Sequence, residues 1–302
     1  METSHDINKK ALIHLANQKW MSAQKMLFYN AHKNPSHETY NNLGFYLITE
    51  GLECKNGRVK SAKRLGLKYL VKARNIKRSS INSFAIALAY DYQIRNANDI
   101  EKEDLCNKVR FFFEEAFEYE KSNELHYNVL RMKYLTGVFD ESILSESYSM
   151  LCENPSLENV ILVLNLADAN RERKLGEKIL SKYGAMLDSD DKLLFCTKFE
   201  MYEEGYRFCL EVLDQFQVDE ILLACILLCC TNTGKLQEAQ YYLDSNIKHI
   251  KTKEKLYFQN ALKHRGLMDK IKESVANYQR IPPIISKCCF FDCPSHSNKI
   301  QK

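Results

Sequence analysis

Side chains in this sequence that could do chemistry gather in two places. Toward the C-terminal end, Cys288, Cys289, Cys293 and His296 combine thiolates with an imidazole at Cys-x3-Cys-x2-His spacing, the ligand types that tetrahedral zinc takes. Adjacent cysteines rarely reach one metal together, and no second ligand cluster lies nearby. The expectation is a frayed terminus with reduced thiols and no cofactor, with an acyl anchor on Cys288 and Cys289 rarer still. The second place is residues 55–78, which hold Lys55, Arg58, Lys60, Lys63, Arg64, Lys68, Lys72, Arg74, Lys77 and Arg78 and no acid. Lys60, Arg64, Lys68 and Lys72 follow one another at i, i+4, so they form a stripe on one helical face that could hold phosphates or an acidic partner. Residues 99–120 supply the opposite charge through Asp99, Glu101, Glu103, Asp104, Glu114, Glu115, Glu118 and Glu120. Mutual pairing of the two stretches is favoured over nucleic-acid binding. No glycine-rich phosphate loop, HExxH, GxSxG or paired-cysteine redox motif is present, so no enzyme is expected.

The elements that must position these groups are helical. Five prolines and ten glycines in 302 residues leave long helices uninterrupted, and 45% hydrophobic with 27% charged residues suits packed interiors. A net charge of +4 is too small to argue for nucleic acid by itself. METSHDINKK lacks the apolar core of a signal peptide, and the longest apolar run, ILLACILLCC, falls well short of the ~20 residues of a membrane helix. A cytoplasmic protein with reduced thiols and no membrane contact is expected, its 11 cysteines lying mostly inside helical patterns.

The stretch from Asp219 to Asn246 shows one complete unit. An apolar helix (Ile221 to Cys230) runs into Thr231-Asn232-Thr233-Gly234, and an amphipathic helix follows with Leu236, Ala239, Tyr242 and Leu243 at helical spacing. Leu223, Ile226 and Leu227, then Gly234, Ala239 and Leu243, sit where the tetratricopeptide repeat (TPR) places its large, small and turn residues, so the stretch resembles one TPR motif. Hairpins of this kind recur from residue 7 to 280. Tyr40, Leu43, Gly44 and Leu47, then Gly66, Leu70 and Ala73, return as Ser83, Ile86, Ala87 and Tyr90, then Val109, Phe113 and Ala116. Those two units carry an extra stretch of about ten residues between their helices, near 51–62 and 95–105, beyond the ~34 residues of a TPR. A single hairpin cannot bury its own faces. The expected fold is all-α, an α-solenoid of about eight stacked helical hairpins over residues 1–281, followed by a cysteine-bearing tail at 282–302.

In TPR proteins the first helices line a concave groove. The resemblance places Asn41, Phe45 and Ile48, then Phe84, Leu88 and Asp91, then Asn128, Met132 and Leu135 there, with Asn41 and Asn128 facing solvent. Asparagine can both donate to and accept from a peptide backbone, which suits peptide capture. The clamp by which chaperone-binding TPR domains hold a C-terminal carboxylate is not present at these positions. The expected function is a non-catalytic scaffold binding a protein or peptide. An alternative is a peptide-responsive regulator resembling bacterial TPR pheromone receptors, although residues 1–50 do not read as a helix-turn-helix. Weaker alternatives are nucleic-acid binding through the stripe and a metal protein centred on the tail.

Overall fold

The turn that closes one helix and opens the next recurs with the same backbone chemistry. In the computed structural model, which describes residues 2–49, 59–94, 97–213, 219–245 and 252–293, Gln18, Arg171, Glu200 and Gly234 all take φ between 57° and 76°. After each of them the next backbone N–H bonds five residues back: Lys19 to His14 O, Glu172 to Ala167 O, Met201 to Cys196 O, and Lys235 to Cys230 O. This is the Schellman closure, in which a left-handed residue lets the chain satisfy the last helical carbonyls. Gly137, at φ 80°, occupies the same place after another helix. From Gly137 the left-handed residues follow at 34, 29 and 34 residues. The turn at Gly234 is therefore one member of a recurring unit.

A left-handed conformation costs a side-chain-bearing residue about 1–2 kcal/mol, and glycine avoids it. Arg171 is exposed and carries that cost at φ 59°. Arg171→Gly is expected to raise stability by ~0.5–1 kcal/mol once the added freedom of the unfolded chain is deducted. A shift of the urea midpoint with unchanged slope would register the gain; a lower midpoint would count against this account of the turn.

Among the described residues there are sixteen α-helices, one short 3-10 helix (Gly184–Met186) and no strand, consistent with a helical-repeat fold. They divide into two units. The first contains α1 (Ser4–Ala16), α2 (Trp20–Lys33), α3 (His37–Thr49), α4 (Val59–Ile76), α5 (Ser80–Ile94), α6 (Asp99–Tyr119) and α7 (Asn123–Leu135), together with residues 284–293. Consecutive helices pack as α1 on α2, α3 on α4, and α5 on α6. The second, Val138–Pro283, contains α8 (Glu141–Glu153), α9 (Leu157–Ala169), α10 (Arg173–Tyr183), α11 (Ser189–Lys198), α12 (Tyr202–Leu213), α13 (Glu220–Asn232), α14 (Leu236–Ser245), α15 (Thr252–Ala261) and α16 (Arg265–Asn277).

Why α13 is apolar all round follows from its surroundings. It packs against α11, α12, α14 and α16, and every residue from Leu222 to Cys230 is buried. A helix with no polar face has to be enclosed. Asp219 caps it, its carboxylate accepting the Leu222 N–H at 2.8 Å.

In the first unit α3 and α4 meet at glycine. A Cβ on Gly44 would fall 2.8 Å from the Gly66 carbonyl oxygen, and one on Gly66 would fall 2.9 Å from that of Gly44. Leu70, Ala73, Val109, Phe113 and Ala116, the positions matched across the two longer repeats, are all fully buried. The second extra stretch differs from expectation. Residues 99–105 are not a connection between helices but the first turns of α6, because Asn98 and Glu101 form a capping box that starts the helix there. Residues 51–58 of the first extra stretch lie outside the described residues.

Candidate functional site

The residues assigned to the groove lie in the first unit, and they are not open to solvent. Asn41, Ile48, Phe84, Asn128 and Met132 are fully buried, and Phe45 and Asp91 nearly so. The expectation that Asn41 and Asn128 face water is thereby corrected. What covers them is the chain itself, since the non-helical segment from Ile284 to Cys293 lies against these helices.

The asparagines hold this segment by its backbone. Asn128 Nδ2 donates to the Ile285 carbonyl at 2.8 Å, and the Ile285 N–H donates back to Asn128 Oδ1 at 3.2 Å. Asn42 treats Phe291 in the same way, donating to its carbonyl at 3.1 Å and accepting its N–H at 2.7 Å. Asn41 Nδ2 donates to the Cys289 carbonyl at 2.6 Å. A carboxamide can pair with the N–H and the C=O of one residue, so Asn128 and Asn42 replace the partner that a neighbouring strand would otherwise supply.

Side chains complete the contact. The Phe290 ring meets Phe45 edge-on at 4.8 Å between centroids, and Phe291 lies 5.3 Å from His37. Lys287 Nζ lies 3.0 Å from both carboxylate oxygens of Glu120 and 5.3 Å above the Phe84 ring. Burial opposes the Glu120 charge, but the hydrogen bonds from Lys287 prevail and hold its carboxyl below the ordinary value. Asp292 accepts from Asn8 Nδ2 at 3.2 Å and stands 2.6 Å from His5 Nδ1. Asn8 is itself positioned by Asn30 Nδ2, which donates to its Oδ1 at 2.8 Å.

The tail thiols are placed differently from the frayed terminus expected of them. Cys289 is fully buried in the core of the first unit, with Cys288 and Cys293 packed against it. Burial pushes the Cys288 thiol up to about 11 and the Cys289 thiol higher, away from the thiolate that zinc takes. His296 lies outside the described residues. Among those residues, no group of three or more His, Cys, Asp or Glu side chains is placed to hold a metal ion.

Asp91 belongs to an internal pair, with Arg131 Nη1 3.2 Å away and both side chains buried. Among the described side chains, the basic stretch meets the acidic one at the Glu115 carboxylate. Arg74 donates to both oxygens of Glu115 at 2.7 and 2.5 Å, and Arg78 approaches to 3.9 Å. Lys72 instead donates to Tyr40 Oη at 2.8 Å, and Lys63 lies over the Tyr92 ring. Two other acids of α6 pair within their own helix, Asp104 with Lys108 and Glu114 with Arg110. Among the described side chains, the block-to-block pairing expected of the two stretches is shown by Arg74 and Arg78, because α4 packs on α3 and α5 and its last turn and the residues beyond reach Glu115. Lys55 and Arg58 lie outside the described residues.

In the second unit the same device recurs. Asn165 of α9 donates to the Arg280 carbonyl at 2.8 Å, and Arg280 in turn pairs with Asp191 at 2.6 Å. Asn42, Asn165, His5 and Asn8 were not singled out by sequence reasoning, and Glu120 was named only as one of the acidic stretch. Asn42 and Asn165 carried a readable signal, an asparagine on the first helix of a hairpin. The others became visible only with the segment that they hold.

Compared with known proteins, the chain matches no family model, and no curated protein matches it.

Asn128→Ala is expected to leave the Ile285 N–H and carbonyl buried without partners, at a cost of about 1–3 kcal/mol. Hydrogen exchange should show it as lost protection of the Ile285 amide, with the amides of α7 protected as before. Unchanged protection at Ile285 would refute the clamp.

Proposed function

We propose that this chain is a non-catalytic, TPR-like helical-repeat scaffold that binds a peptide or an extended segment of a partner protein, working in the cytoplasm. The observation that carries the reading is the asparagine geometry. Asn128 and Asn42 each pair with both backbone groups of one residue in a non-helical segment, and such pairing would serve a peptide of another chain equally well. Two of the three spacings between the left-handed turn residues from Gly137 to Gly234 are 34 residues, which supports the repeat type, since TPR units have that period. Phe45, Ile48, Phe84 and Met132 supply the apolar floor, while Asn41 and Asn128 supply the polar contacts. Asp91, bound to Arg131, shapes the wall of the site from within.

The basic stretch gives less support to nucleic-acid binding. Lys63, Lys72 and Arg74 are engaged on aromatic rings, a phenol and a carboxylate inside the first unit, which leaves fewer cations for phosphates.

Affinity purification of the full chain from native lysate, with and without nuclease, followed by cross-linking, tests the proposal. A nuclease-resistant protein or peptide cross-linked to α3 and α7 is the expected result. Material lost on nuclease treatment, or cross-links confined to Arg64 and Lys68, would overturn it.

A further inference from the structure

The segment from Ile284 to Asp292 is held as a ligand would be held, and one of its contacts is incomplete. Asn41 donates to the Cys289 carbonyl, but its Oδ1 is buried and has no hydrogen-bond partner among the described residues, in a side chain with no exposed surface. Its neighbour Asn42 and its counterpart Asn128 use both ends of their carboxamides. A buried acceptor without a partner beside an occupied donor is a polar group that another occupant of the groove could engage. The remaining contacts define what does fit: a cation on Glu120, an aromatic side chain on Phe45, a second near His37, and a carboxylate on Asn8 and His5.

We propose that residues 284–292 are a built-in occupant of the groove, displaced by an extended peptide that carries a cation followed by an aromatic pair and an acidic residue. The proposal rests on the peptide-binding reading above. Displacement is required because tail and peptide need the same carboxamides and the same Phe45 surface. The tail follows directly on Pro283 and competes as a tethered ligand, at an effective concentration on the order of millimolar for a short linker. With a micromolar intrinsic affinity of the tail for its groove, a competing peptide would therefore see the intact chain as about a thousandfold weaker binder.

The test uses the full chain with Pro282-Pro283 replaced by a protease recognition sequence, compared before and after cleavage in reducing buffer. The probe is a fluorescent synthetic peptide of residues 284–293. Binding should be at least 100-fold tighter to the cleaved chain, and a probe with Phe290→Ala and Asp292→Ala should lose at least tenfold. Equal binding before and after cleavage would overturn the proposal. So would a cleaved chain that keeps its tail without exchange, or one whose helicity collapses as the tail leaves, since the tail would then be a strut of the fold. A lysate partner bound equally by intact and cleaved chains would also overturn it while leaving the peptide-binding reading in place. Exchange of the probe with no partner recovered from lysate would support the built-in occupant and count against the scaffold reading.

Discussion

Replacing Glu115 with alanine is expected to destabilise the first unit by about 3–5 kcal/mol, the usual cost of removing one partner from a buried ion pair. Glu115 is 6% exposed, and its carboxylate accepts two hydrogen bonds from Arg74 and one from Ser83 at 2.6 Å. Without it, the Arg74 guanidinium is left half-enclosed with no counter-charge, and the Ser83 hydroxyl loses its acceptor. The loss comes from the orphaned cation and not from the pair's own net worth, so Glu115→Leu combined with Arg74→Met should recover most of it. The hydrogen bonds from Arg74 hold the Glu115 carboxyl below its ordinary value of 4.5. A carboxyl depressed in the folded state contributes stability that is complete above the unfolded value and is lost as pH falls through the folded one. Urea titrations of wild type and Glu115→Ala should therefore differ widely at neutral pH and converge as the solution is acidified below 4.5. A difference under about 1 kcal/mol at neutral pH would place the pair with ordinary surface salt bridges.

Phe84→Ala is expected to cost about 3–5 kcal/mol, the range for truncating a buried aromatic. Its side chain has no exposed surface, meets Phe113 edge-on at 5.2 Å, and is covered by Lys287 of the tail. The sequence places Phe84 on the groove as a contact for a ligand. The structure makes it a floor that the core requires, so the variant should lower the melting temperature before any effect on binding can be read. A variant that melts within a degree or two of wild type would return Phe84 to the role of a dispensable ligand contact.

Helical periodicity is local, and so the sequence by itself determined the helices. Apolar residues at three- and four-residue steps fix which face of each helix is buried whatever it packs against. Leu223, Ile226, Gly234 and Ala239 thus read correctly as an apolar helix, a turn and a second helix, and Leu70, Ala73, Phe113 and Ala116 as core. The turn residues were legible only where they were glycine. Gln18, Arg171 and Glu200 adopt the same left-handed backbone without announcing it, because the cost of about 1–2 kcal/mol is one that tertiary packing can absorb. Asn41 and Asn128 could be chosen as peptide-binding residues from the chemistry of the carboxamide alone. That they already hold Cys289 and Ile285 could not be read, because the partners lie 248 and 157 residues away in sequence. Only the tertiary structure brings KCCFFDC from a polar-looking terminus into the core of the first unit. The physical reason is that a segment with no periodicity of its own gains its order from the groups that satisfy its backbone, and those groups belong to other helices.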